Sequence, residues 1–446
     1  MDAQELKYRQ MTEPPVQKLI CKLAVPCIVS MLVTAFYNMA DTFFVGQLNS
    51  NAATGAVSVV FSMMAVIQAV GFFFGQGSGT FISRALGEKN TKEAEEMAAT
   101  GFYVSFAVGF LICALGLIFL EPLSYLLGST ETILPHTKSY LGVILLGAPW
   151  ITSSFVLNNQ LRFQGGAFYA MIGITTGAVL NIILDPIMIF GLGLGVAGAG
   201  WATIISQFVS FCLLYIGCNR GSNIRIRIKN IRLKGYYFHN IYRGGLPSLA
   251  RQILASFASI CLNNAARPHG DAIIAAMGIV QRIAMFGTST MLGFGQGFQP
   301  VCGFNYGAKL YDRVKQGFWF CVKLSTGVIV VVSAVCFVFA PELIGLFRND
   351  PDVIACGTLA LRFQCISFPL HGWIIMSNMM EQSIGRTLPA TFLSVARQGL
   401  FFIPIVLIMS AALGVLGIQM TQACADVLTF AVSIPIHAYV LKTLQK

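Results

Sequence analysis

Charge is scarce in this sequence. Only 11% of its 446 residues are Asp, Glu, Lys or Arg, where soluble domains usually carry about 25%. Acid is scarcest, with 18 Asp and Glu against 29 Lys and Arg. Paired-cysteine motifs are missing as well. The 12 cysteines form no CxxC and lie mostly inside apolar runs. They read as small buried hydrophobes, not as zinc ligands or a disulfide framework. His136, His239, His269, His371 and His437 show no metal spacing. GxSxG, HExxH and clustered carboxylate pairs are also absent, which removes the common hydrolytic sites. An ordinary cytosolic globule, a disordered chain and a small disulfide scaffold are all excluded by this composition.

What is present is apolar. Hydrophobic residues make up 56% of the chain, and the mean hydropathy is +0.72. No water-soluble fold hides that much apolar surface behind so few charges. The chain reads as an all-α integral membrane protein. A spanning helix needs about 20 mainly apolar residues. Twelve stretches qualify: 20–44, 54–80, 97–120, 133–157, 168–190, 197–217, 243–264, 272–300, 314–340, 354–380, 388–411 and 415–441. The opening MDAQELKYRQ is mixed in charge and leads into the first apolar run without a small-residue cleavage site. It reads as no signal peptide.

Loop charge sets the sidedness. One set of connections holds Lys7, Arg9, Lys18, Lys22, Arg84, Lys89, Lys92, Arg162, Lys309, Arg313, Lys315 and Arg386, with Lys442 and Lys446. The basic run from Arg220 to Lys234 joins them, whereas the opposite loops offer mainly Lys138, Arg267 and Arg348 among acids. The positive-inside rule then puts both termini of a multi-pass membrane protein in the cytoplasm. The same rule accounts for the net charge of +11, so the basic run reads as a solvated loop and not as a nucleic-acid surface.

The sequence also repeats itself 220 residues on. FGQG at 74–77 returns at 294–297, Pro149 as Pro369, Asn158 as Asn378 and Gly165 as Gly385. Near the ends the shift slips by one, so Pro26 answers to Pro247. Each unit holds six spans, and an even number leaves both units in the same orientation. Two parallel six-helix lobes related by a pseudo-two-fold axis along the membrane normal follow. The lobes are expected at 1–217 and 241–446, joined by a basic cytoplasmic linker at 218–240. Two equal lobes around a cleft are a common build for alternating access.

Ionisable groups at membrane depth are costly and usually face a cavity or a partner. In the first unit Asp41 lies near the outer end of the first span and Asp185 in the outer third of the fifth. Tyr37 precedes Asp41 by one turn, Asn181 precedes Asp185 by one turn, and Thr203 and Gln207 sit at similar depth on the sixth span. Two acids, an Asn and a Thr at matched depth point to a polar site able to carry a proton or hold sodium. Tyr37, Asn38 and Gln207 are the candidate substrate-cavity residues beside it. The second unit is mostly basic there, with Arg251, Arg282, Lys323, Arg362 and Arg397 against Asp426. Arg282, Arg397 and Asp426 are expected to form a structural ion pair, with Asp426 pairing one of the two arginines. Glu381 is expected at the interfacial end of the tenth span.

Two glycine motifs are set aside. GLGVAG at 193–198 follows a membrane span and no βαβ unit surrounds it, so it is a turn and not a dinucleotide site. FGQGSG at 74–79 lacks GK[ST] and lets helices pack closely.

Several stretches resemble the multidrug and toxic compound extrusion (MATE) transporters, in particular their bacterial DinF-like and MepA-like branch. They are AFYNMADTFFVGQL at 35–48, FGQGSGTFISRALGEKN at 74–90 with its echo at 294–310, and ARQGLFFIP at 396–404. The resemblance covers essentially the whole chain. It implies a secondary exporter of organic cations and amphipathic drugs, driven by inward proton or sodium flow, with no cofactor and no metal. Coupling residues would carry over to Asp41, Asn181, Asp185 and Thr203, and Pro26 to the point where the first helix bends. Another branch uses acids in helices 7 and 10. The seventh span here has Arg251 and no acid, which departs from that pattern. A monomer working on small molecules within the lipid bilayer is expected. A lipid-linked oligosaccharide flippase shares the two-lobe build and is the alternative, and an integral-membrane enzyme finds no motif to support it.

Overall fold

The computed structural model describes residues 3–48, 50–221 and 223–444. Twelve of its helices are long and apolar enough to cross a bilayer. They are α1 (Val16–Val45), α2 (Gly55–Gly87), α3 (Thr91–Ile118), α4 (Leu134–Phe163), α5 (Ala167–Gly191) and α6 (Gly195–Cys218) in the first half. The second half holds α7 (Gly235–His269), α8 (Asp271–Gly307), α9 (Tyr311–Val338), α10 (Pro351–Ser383), α11 (Thr387–Leu413) and α12 (Val415–Thr443). Helices suit this composition because each satisfies its own backbone groups without water.

Several helices outrun their hydropathy. α2 continues through SGTFISRALG to Gly87, α7 starts at Gly235 and α8 runs on to Gly307. Hydropathy marks where the bilayer ends, and the backbone has no reason to stop there. Arg84 and Arg162 are therefore not loop charges. Both lie within helices, and Arg162 is buried. Between the spans, short helices at Leu120–Leu126 and Ala340–Phe347 occupy equivalent places.

In each half one helix is the axle. α4 packs against α2, α3 and α6, and α10 packs against α8, α9 and α12. α4 is the most enclosed span, with 78% of its apolar window inside the protein. Outer helices present the opposite picture. α3 exposes Phe106, Phe110, Leu111, Leu115 and Ile118, the face that lipid would solvate. The repeat is visible in detail. Lys89 and Lys309 share a left-handed backbone at φ 59° and 60°. Asn158 donates to the Ala170 carbonyl, and its counterpart Asn378 donates to that of Ala390.

The halves meet through α1 against α8 and α2 against α7. At the end that carries the termini the approach is backbone to backbone. A Cβ at Gly77 would lie 2.3 Å from the Ile241 carbonyl oxygen, and one at Gly307 would lie 2.1 Å from that of Arg84. Only glycine permits such contact. The Arg84 guanidinium adds a 2.7 Å bond to the Ser383 carbonyl across the same seam. Further along the halves part around a cavity of about 320 Å³.

Candidate functional site

The first-half polar residues converge from three helices. Asp185, Asn181 and Thr203 are all buried, at 0%, 2% and 1% exposure. Asp185 stands directly before the turn where α5 widens to a π-helix at Ile187–Gly191, a feature common at functional sites. Set by its neighbours, the Asn181 amide donates to Asp185 Oδ2 at 3.0 Å and accepts from the Thr203 backbone N–H at 3.1 Å. Tyr37 of α1 reaches the Thr203 side chain. Asp41 lies one turn further along α1, within electrostatic range of Asp185. One oxygen of each carboxylate, Oδ1, is buried with no hydrogen-bond partner. No base neutralises either acid among the ion pairs of the described residues. Two close carboxylates of this kind cannot both stay ionised cheaply, so the cluster is chemically suited to take up a cation.

The acids stand behind the cavity wall. Tyr37, Asn38, Asn181, Thr203 and Gln207 line the cavity, whereas Asp41 and Asp185 do not. The charged residues that do line it are Arg162 and Arg251. Pro26 lies below it within α1, which stays helical from Val16 to Gly46.

The second half is arranged differently. Asp426 of α12 is fully buried and makes four polar contacts. Three are donors, Arg397 Nε at 2.9 Å, Ser367 Oγ at 3.0 Å and Gln422 Nε2 at 2.9 Å, and the fourth contact, His371 Nε2 at 2.8 Å, also lies 2.9 Å from Arg397 Nη2. Arg397 sits in a π-helical stretch of α11, Ala396–Phe402. Arg282 corrects the expected trio. It is exposed and takes no part in the pair. It shares a helical face of α8 with Met285 and Ser289 by turn spacing, away from the Asp426 cluster. Depth alone does not give azimuth.

Glu381 adds a second buried acid in this half. It lies two residues from the end of α10, but instead of meeting solvent it is 0% exposed, with Oε1 at 3.2 Å from Nδ1 of the equally buried His437. Its other oxygen and the other ring nitrogen lack partners. His371 and His437 had been tested only for metal spacing, and the described residues hold no candidate metal cluster. Their position inside apolar runs was the usable signal, because a buried histidine needs a polar partner.

Comparison with known proteins fits this geometry. The MatE family model matches residues 26–187 and again residues 247–408. The multidrug export protein MepA of Staphylococcus aureus (strain MSSA476) is 29% identical over 431 residues, covering 96% of this chain and 94% of the relative. A crystal structure of MATE in complex with MaL6 superposes with a TM-score of 0.93 at 26% identity, covering 98% and 99% of the two chains. An outward-facing multidrug resistance MATE family transporter of the MOP superfamily superposes with a TM-score of 0.91 at 26% identity, covering 98% of each chain.

Proposed function

The chain belongs to the MatE family, and from that premise we propose that it is a secondary active multidrug exporter. It antiports organic cations and amphipathic drugs against inward protons, or sodium, by alternating access. Residues 1–217 and 241–446 are the moving lobes and 218–240 the linker. The protein works as a monomer in the bacterial cytoplasmic membrane, with both termini inside and no cofactor. Lobes locked at the end that carries the termini, with a cavity beyond, support a state open to the outside.

The observation that carries the proposal is the pair of partly unsatisfied acids, Asp41 and Asp185, directly behind a cavity wall made by Tyr37, Asn181 and Thr203. Asn181 presents its nitrogen to Asp185 and spends its oxygen on the Thr203 N–H. Protonation from outside removes the negative charge that attracts an organic cation in the cavity. Drug is released outward, and α1, weakened at Pro26 by the missing backbone donor, bends to follow. Release of the proton inward restores the charge. The scheme requires drug and proton to favour different states. Asp41→Asn keeps the size and removes the titration. At normal membrane levels the variant should export little ethidium and release no protons when substrate is added in detergent. Wild-type resistance at equal expression sinks the scheme.

One observation favours the flippase reading: both charged residues that line the cavity are arginines, as a pyrophosphate lipid would need. Ethidium and norfloxacin accumulation in an efflux-deficient host separates the two readings.

A further inference from the structure

The cavity is polar on many sides but charged on only two, and both charges are positive. Arg162 comes from α4 in the first half and Arg251 from α7 in the second. Arg251 is loosely held, by Asn378 Oδ1 and Ser248 Oγ, both at 3.4 Å. Arg162 is held less still. It is 3% exposed, its Nη2 donates to Asn159 Oδ1, and the Cys27 thiol lies beside it. Its Nε and Nη1 have no hydrogen-bond partner. No ion pair among the described residues includes it. A guanidinium cannot shed its charge, and an unpaired buried charge is costly.

The internal repeat shows that the architecture does not demand a cation there. The residue equivalent to Arg162 is Gln382. It closes its position with ordinary hydrogen bonds, to the Gly244 carbonyl at 2.7 Å and Ser248 Oγ at 2.9 Å. The equivalent of Arg251, by the shift that carries Pro26 to Pro247, is Ser30. Each half thus adds one arginine that its counterpart lacks, and both face the same cavity. A guanidinium that lines a cavity with no carboxylate partner is chemically suited to an oxygen of a carboxylate or phosphate.

We propose that Arg162 is an oxyanion subsite for the transported ligand, which carries a carboxylate or a phosphate on an amphipathic body, with Arg251 adding positive potential from the facing lobe. The proposal rests on the transport reading and narrows its substrate class. The preferred ligand has two poles. Its amine faces the wall of Tyr37, Asn181 and Thr203, and its oxyanion faces Arg162. The 320 Å³ cavity falls within the range of small-molecule sites, about 300–1,000 Å³.

The test measures binding to the purified full-length protein in detergent. The probes are norfloxacin (amine and carboxylate), its methyl ester (carboxylate masked), ethidium (cation only) and dioleoyl phosphatidic acid. Wild-type protein should bind norfloxacin roughly tenfold or more tighter than the ester, the scale of a charge-assisted hydrogen bond. Arg162→Gln, the residue its repeat partner carries, should lower the norfloxacin-to-ethidium affinity ratio by a similar factor. The Arg162→Lys variant should fall between. Size exclusion and melting temperature report folding, and the ester comparison stands without any variant. Equal binding of norfloxacin and ester, together with phosphatidic acid binding that ignores Arg162, overturns the proposal: water alone then serves the guanidinium. If ethidium still binds in that case, the exporter reading survives. Binding of phosphatidic acid through Arg162, with neither drug bound, keeps the oxyanion subsite and removes the exporter reading.

Discussion

The two halves share one fold and bury their acids in opposite ways. In the first half Asp41 and Asp185 lie within electrostatic range of each other, and each keeps an oxygen unfilled. In the second half Asp426 meets a guanidinium, an imidazole, a hydroxyl and an amide. A buried carboxylate held by several donors has its polar atoms satisfied. One with an unpartnered oxygen does not. The repeat supplied two equivalent scaffolds, and the pattern of satisfaction separates the acids of the proposed coupling site from the acid of the Asp426 cluster. Both lie at a π-helical widening, so backbone irregularity does not distinguish them.

The largest expected effect falls on coupling. Asp185→Asn leaves the Asn181 contact in place and removes the second acid of the pair. Substrate-induced proton release should vanish and ethidium resistance should fall to the level of the empty host. Asp426→Asn, compared at equal membrane abundance, should keep both. A folded Asp426→Asn protein without proton release would break the comparison, since it would make the satisfied acid the coupling group.

Stability should show the reverse order. Removing one partner of a buried ion pair typically costs about 3–5 kcal/mol, because the other charge is left stranded. Asp426→Ala strands Arg397 against His371 and should lower melting temperature and yield more than Asp41→Asn does. Replacing the pair as a unit, with Asp426→Ala and Arg397→Met together, should recover most of the loss. A double variant as unstable as the single one would mean that His371 and Gln422, not the arginine, dominate the cluster.

These assignments also mark how far the sequence could be read. The twelve spans followed from hydropathy, and the convergence of Tyr37, Asn181, Asp185 and Thr203 followed from depth plus turn spacing. Both are one-dimensional quantities. Arg282 was grouped with Asp426 because the two share a level, yet the structure turns it to another face. Arg162 was counted as a loop charge because the apolar run fades before it, while α4 carries it on into the interior. Azimuth depends on which neighbour a helix packs against, and no single segment encodes that. His371 went unseen for a related reason. Its partners Arg397 and Asp426 lie 26 and 55 residues away in sequence, so no local spacing announces them.

Glu381 sharpens the comparison, because it belongs to the satisfied half but has an unfilled oxygen. Its Oε1 pairs with His437 Nδ1 at 3.2 Å, while Oε2 stays unpartnered in a fully buried position. If an empty oxygen alone marks a coupling acid, Glu381 should behave like Asp41. The difference is the base beside it. His437 Nδ1 lies 3.2 Å from one Glu381 oxygen, whereas no histidine, lysine or arginine pairs with either first-half acid among the described residues. Neither Glu381 nor His437 lines the cavity, so a bound cation has no direct hold on them. Glu381→Gln should therefore leave substrate-induced proton release intact. Its cost in stability should be small, about 1 kcal/mol for a weakened hydrogen bond, since glutamine still offers an oxygen to His437. Fluorimetric proton release and thermal melting of this one variant decide the point. Loss of release at a normal melting temperature would place a second titrating site in the other half, and the contrast between the halves would no longer describe coupling.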